Sequence, residues 1–160
     1  MQEEHTPNGP ENTEDLSQIA DGRIVALDIG TKNIGVAVSD ELRITARPLR
    51  AITRTSWKTL LVSVKQILAE FDAKALVIGL PYNFDGTESE MSADARDIHR
   101  KFTLSLSIPV YFQDERVSSY EARGRLWKQG LDNKEVMRRK DSESAAVILG
   151  DFLDRIPQPR

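Results

Sequence analysis

A hairpin with an acid set inside its first strand constrains this chain more than any other stretch. Residues 24–40 run IVALDIGTKNIGVAVSD. Residues 24–29 are near-continuously apolar, and residues 34–38 form a second run broken only by Gly35. Between them stand Gly30, Thr31, Lys32 and Asn33, a turn-rich spacer. Asp28 lies within the first run, flanked by Leu27 and Ile29. A carboxylate in such a run is costly unless it has a partner or a task. Two readings follow. Asp28 ends its strand and caps the turn through its side-chain oxygens, or it is a strand-end carboxylate that holds a divalent metal or a phosphate-bound water.

The chain has 160 residues, enough for one domain with a substantial core. It has no cysteine, which excludes disulfides and thiolate metal sites and is compatible with a reducing cytoplasm. No apolar run approaches the ~18 residues of a membrane span, and no signal peptide is visible. A cytoplasmic protein without a membrane segment is the expectation. The net charge of −3 is unevenly spread. Residues 1–23 hold six acids against Arg23 alone, whereas the rest of the chain is slightly basic. That leading stretch predicts a solvated, disordered acidic tail. Residues 24–154 form the expected domain, and residues 155–160, ending Pro157-Gln158-Pro159-Arg160, a frayed end.

Residues 42–54 interleave apolar residues with Arg43, Arg47, Arg50 and Arg54, as in a third strand with one wet, positive side. Pro48 is easier to accept near a strand end or at a sheet edge than in a central strand. Residues 56–71 have helical spacing through Leu60, Leu61, Val64, Ile67, Leu68 and Phe71, with Ser56 as N-cap. Residues 75–79, ALVIG, suit a buried parallel strand. Residues 80–90 are a loop, 91–106 a helix through Ala95, Ile98 and Phe102, and 108–112 another strand. A further helix is expected from Ser118 or Ser119 to about Gln129, stopped by Gly130. A short basic turn over 133–140 then precedes a last helix over 141–153, whose apolar face is Ala145, Ile148, Leu149 and Phe152. The order predicts an α/β fold, a mixed five-stranded sheet (three antiparallel strands, then two parallel) with helices on both faces.

Two apolar strands end in acid, Asp28 on the first and Asp114-Glu115 on the last, and Asp141 is expected to open the last helix. Ligands gather outside the carboxyl ends of parallel strands. Converging carboxylates repel unless cations lie between them. An oxygen-only donor set favours Mg²⁺ or Mn²⁺ over zinc. Two such ions about 4 Å apart activate water and stabilise the leaving oxygen of a phosphodiester. For Asp141 alone the ordinary alternative is helix capping. His5 and His99 are expected at the surface. Trp57, Trp127 and Tyr120 suit either base stacking or packing.

The blocks ALDIGTKNIGVAVSD, VIGLPYNFDGT, VYFQDERVSS and DSESAAVIL, in this order and spacing, resemble the four signature blocks of the YqgF/RuvX family. Its members are described as Holliday-junction resolvases and as pre-16S rRNA nucleases with an RNase H-like fold. The resemblance covers residues 24–153 and none of the tail. It implies Asp28 as the main metal ligand, Glu115 with Asp114 as a lesser candidate, and Asp141 as the third acid. It implies Thr31 and Lys32 at a phosphate, Arg116 beside the acids, and Asn83 and Asp85 in a loop on the substrate side; a plain stable turn is the alternative for that loop. The chain departs from the family pattern at Asn33, where a basic residue is common, and at Ser89-Glu90. Lys134, Arg138, Arg139 and Lys140 lead into Asp141, a basic run suited to phosphates or simply to solvent.

The acids and the resemblance together predict a metal-dependent nuclease acting on structured nucleic acid. The resemblance implies the 5′ end of pre-16S rRNA as the substrate, with a branched DNA junction as the alternative. A junction resolvase cuts two strands, which implies a homodimer. Two rivals are weighed against it. A non-catalytic nucleic-acid-binding module of the same fold fits poorly with acids at all three positions. An actin- or sugar-kinase-type ATPase shares Asp-x-Gly-Thr on a hairpin, but needs a second related domain for which the chain has no room.

Overall fold

The computed structural model of the chain describes residues 15–82, 87, 90–115 and 133–157, with backbone alone over 133–141. The hairpin forms as its pattern predicts, β1 (Ile24–Ile29) against β2 (Asn33–Ser39), antiparallel and in the register Leu27–Val36 and Asp28–Gly35. β3 (Ala46–Thr53) adds antiparallel to β2, and β4 (Ala75–Pro81) and β5 (Val110–Glu115) run parallel to β1. The strand order is β3-β2-β1-β4-β5. Pro48 therefore sits on an edge strand, where its missing N–H costs no ladder bond.

Each face of the sheet carries its own apolar core. One face is covered by α1 (Trp57–Glu70) and α2 (Glu90–Ser105), which bury Leu60, Val64, Leu68, Ala95, Ile98 and Phe102 on Val25, Leu27, Ile78 and Phe112. Ser56 caps α1, its hydroxyl accepting the Thr59 N–H at 3.1 Å. The other face is covered by α3 (Asn133–Arg155), which buries Ala145, Ile148, Leu149 and Phe152 on Ile24, Ala26, Ala75 and Val77. Each of the larger side chains contributes roughly 1.5–3 kcal/mol on burial. No helix is long and apolar enough to cross a membrane among the described residues.

Several expectations are corrected. The last helix is continuous, so Asp141 lies well inside α3 and does not open it; the basic residues 134–140 are good helix formers and nothing there breaks the helix. β5 extends through Asp114 and Glu115, because its pairing with β4 continues to Pro81–Glu115. β3 begins only at Ala46, because Asp40 organises residues 40–45 as a turn, its Oδ1 accepting the N–H groups of Ile44 and Thr45 at 2.8 and 2.9 Å. The tail is ordered from Asp15. A 3₁₀ turn, Leu16–Gln18, leads to buried Ile19, and Arg43 donates to the carbonyls of Ala20 and Gly22. Arg43 is thus buried, not part of a wet strand face. At the other end Ile156 is buried rather than frayed. The helix expected over 118–129, with Tyr120 and Trp127, and His5 in the tail lie outside the described residues.

His99 is half-buried, not a surface group. Its ring stacks on Phe112 with centroids 3.8 Å apart, and its Nε2 lies 2.9 Å from the Val110 carbonyl, so Nε2 carries the proton. Burial lowers its pKa from the ordinary value, opposed by the Val110 bond and assisted by Arg96. The folded form then binds a proton less readily than the unfolded chain. Its contribution is complete above about pH 6.5 and is lost as pH falls from there toward the lower folded value. The drop in Tm between about pH 7.5 and 5.5 should accordingly be smaller in His99→Gln than in the parent. Equal drops would assign the acid sensitivity to other groups.

Candidate active site

Strand parity decides which acids meet. Leu27, Ile78 and Phe112 form one lateral row across β1, β4 and β5, packed under α1 and α2. One residue further on, side chains turn to the α3 face. A Cβ on Gly79 would meet the Ile148 side chain of α3, and Gln113 accepts from Arg155 of α3 at 2.7 Å. Asp28 and Glu115 share this face, whereas Asp114 points to the opposite one. Both α3-face acids are half-buried, and Oε2 of Glu115 is shut off from solvent. Their Cα atoms are about 12 Å apart by strand spacing and rise, within reach of a group held between the two side chains.

The acids also share an edge. β1, β4 and β5 are parallel and end together, and β1 is where the chain's strand order reverses, with β2 on one side and β4 on the other. That is the position at which open α/β sheets bind ligands. The register of β2 with β3 shifts between Ile34 and Val36, and the Val36 N–H donates to the Ser142 hydroxyl at 3.3 Å. Val36 pairs with Leu27, next to the Asp28–Gly35 pair. Ser142 thereby pins the α3 turn that carries Asp141 over the level of Asp28. The Asp141 side chain itself is outside the described residues, and among those described no three acids or histidines form a metal-sized group. The donor chemistry, half-buried carboxylates and no cysteine, fits a hard dication.

Gly79 sets how closely α3 approaches this edge. A Cβ there would lie 2.5 Å from Ile148 Cδ1 and 3.2 Å from Cγ1, and Ile148 is fully enclosed. Gly79→Ala should cost about 1–3 kcal/mol in urea unfolding, and Ile148→Val, which deletes the clashing methyl, should recover most of it in the double variant. Additive losses would place the strain elsewhere.

Thr31 and Lys32 are exposed on the turn just beyond Ile29, closed by a 3.0 Å bond from Gly30 N–H to the Asn33 carbonyl. Asn83, Asp85 and Arg116 lie outside the described residues. Arg138, Arg139 and Lys140 are on the first turns of α3, described by backbone only. Trp57 packs edge-on against Phe102 at 4.7 Å, a core role. Sequence reasoning missed Ser142 and Arg54. Arg54 was grouped with the wet arginines of β3, yet it forms a two-pronged pair with Asp94 that holds its guanidinium further into the charged range. Nothing local in the sequence marks either contact.

Comparison with known proteins gives the family and the fold. The sequence model of the RuvX family, described as Holliday junction resolvase, matches residues 22–155. A protein of Anaeromyxobacter sp. named "Putative pre-16S rRNA nuclease" is 38% identical over 132 residues, 82% of this chain and 96% of that protein. One of the same name from Klebsiella pneumoniae is 36% identical over 134 residues, 84% and 97% of the two chains. Among solved structures, T. thermophilus RuvC in complex with a Holliday junction substrate superposes with a TM-score of 0.53 at 17% identity, over 83% of this chain and 94% of that one. That likeness shows the RNase H-like fold. With a family match across nearly the whole described body, the chain belongs to the RuvX family.

Proposed function

We propose that this nuclease hydrolyses phosphodiester bonds in structured nucleic acid with the help of Mg²⁺ or Mn²⁺, and that its substrate is the 5′ end of pre-16S rRNA in the cytoplasm. The observation that supports the reading is that Asp28 and Glu115 lie on the same face at one end of the sheet, beneath the α3 turn of Asp141. The choice of RNA is supported by the names of relatives that match this chain over nearly their full length.

Asp28, Glu115 and Asp141 would hold the metal, one ion or two. When bound, it supplies an activated water and stabilises the leaving oxygen. Asp114, facing away, drops out of the ligand set. The chain's own residues do the rest. The half-buried carboxylates of Asp28 and Glu115 repel one another until a cation offsets them. Thr31 and Lys32 on the hairpin turn receive a backbone phosphate. Arg138, Arg139, Lys140, Arg116, Asn83 and Asp85 would add contacts to the nucleic acid. The test is cleavage of a labelled pre-16S 5′ leader and a four-way DNA junction, each in Mg²⁺, Mn²⁺ and EDTA. Metal-dependent cutting of the leader is expected. Cutting of the junction alone would make the chain a junction resolvase, and salt-sensitive binding without cutting would make it a binding module.

A further inference from the structure

Arg54 stands one residue past β3 and touches both ends of the turn over 30–33. Its backbone N–H donates to the Lys32 carbonyl at 2.9 Å, and its Nη1 donates to the Gly30 carbonyl at 2.9 Å. Nη1 and Nη2 also donate to the two carboxylate oxygens of Asp94 on α2, at 2.6 and 2.7 Å. α2 is fastened in turn to the end of β4, where the Ser92 hydroxyl donates to the Pro81 carbonyl. One guanidinium therefore links the hairpin turn to the helix that follows the loop after β4. The pair is only about a quarter exposed on each side, unlike a solvated surface ion pair.

Among the described residues, the turn's other fastenings are its own closure and the pairing of Asn33 with Thr53. Thr31, Lys32 and Asn33 are exposed, and its own closure is the Gly30–Asn33 bond. The β2–β3 pairing already ends at Asn33–Thr53, so Arg54 acts beyond the ladder. A side chain at Gly30 would come within 2.5 Å of the Asn33 carbonyl, so the turn is a tight one.

We propose that Arg54, braced by Asp94, is a positioning residue that fixes Thr31 and Lys32 for phosphate contact. The proposal rests on the nuclease reading above. The Arg54 guanidinium holds the Gly30 carbonyl and both Asp94 carboxylate oxygens at once, a planar arrangement that lysine, a single-point donor, cannot reproduce. Arg54→Lys keeps the charge and loses the fork, and Asp94→Asn keeps the shape and loses the brace.

Binding and cleavage of the labelled 5′ leader are measured across salt concentrations for the parent, Lys32→Ala, Arg54→Lys, Asp94→Asn and the Arg54→Lys/Lys32→Ala double variant. Lys32→Ala should lower the slope of log K against log salt by about 0.7–0.9 and raise KM about tenfold. Arg54→Lys and Asp94→Asn should do the same with kcat within about twofold, and the double variant should lose no more than either single. Additive losses would overturn the proposal by making Arg54 an independent contact. An unchanged slope with a lowered Tm would overturn it by leaving only a structural strut. If Lys32→Ala is itself silent, the phosphate reading of the turn fails and the proposal with it. If Lys32→Ala is defective and Arg54→Lys is not, positioning alone fails. Hydrogen exchange at the amides of residues 31–33, faster in Arg54→Lys at equal Tm, tests the brace without any substrate; unaltered exchange overturns it.

Discussion

Asp28→Asn is expected to lower single-turnover cleavage by about 10³-fold or more while nucleic-acid binding stays within a few-fold of the parent. The substitution removes a charge from the switch point of the sheet and almost nothing else. Asn fills the same volume on β1 between Leu27 and Ile29, and its amide oxygen is a far weaker donor to a hard dication than a carboxylate. Losing roughly 4 kcal/mol of transition-state stabilisation, when the ion that this carboxylate would hold is lost, gives this factor. Folding should be little changed, because Asp28 is only half-buried and the core on either side is intact. A protein that cuts normally with Asn at this position would not be using its metal here.

Glu115→Gln is expected to cost about 10²-fold or more in cleavage, and Asp114→Asn less than about threefold, although the two are sequence neighbours. The difference follows from the period of the strand. Pairing of β5 with β4 through Pro81–Glu115 keeps residues 114 and 115 in regular extended backbone, so their side chains leave on opposite faces. Glu115 joins Asp28 under α3, and Asp114 joins the layer of Leu80 and Phe112. Because Oδ1 of Asp114 is buried, Asp114→Asn should appear instead in stability, at about 1–2 kcal/mol by urea unfolding. Rate lost at 114 and kept at 115 would mean that β5 is bulged ahead of its end.

The sheet was readable because its strands are short apolar runs and its helices carry apolar residues at three- and four-residue spacing. Residues 24–29, 60–68 and 145–152 show those two periods directly. The ends of elements were harder. Asp114 and Glu115 look like loop by hydropathy, yet they are strand, because backbone pairing with β4 outlasts the apolar side chains. Asp141 looks like a cap, yet it is helix interior, because residues 134–140 continue the helix on propensity. The acids of the site could be named from the sequence, but which of Asp114 and Glu115 faces Asp28 depends on strand parity, and parity needs the register. Arg54 and Ser142 were hidden for a different reason. Arg54–Asp94 and Val36–Ser142 join residues 40 and 106 positions apart, and only the tertiary fold brings such pairs together.

The central claim is that Asp28 and Glu115, with Asp141 above them, hold a divalent ion. Mn²⁺ uptake followed by its EPR signal, in the parent and in Asp28→Asn under one buffer, tests it most directly. The parent should remove free Mn²⁺ from solution, and Asp28→Asn should bind at least about tenfold more weakly. Equal Mn²⁺ binding by the two proteins would contradict the claim.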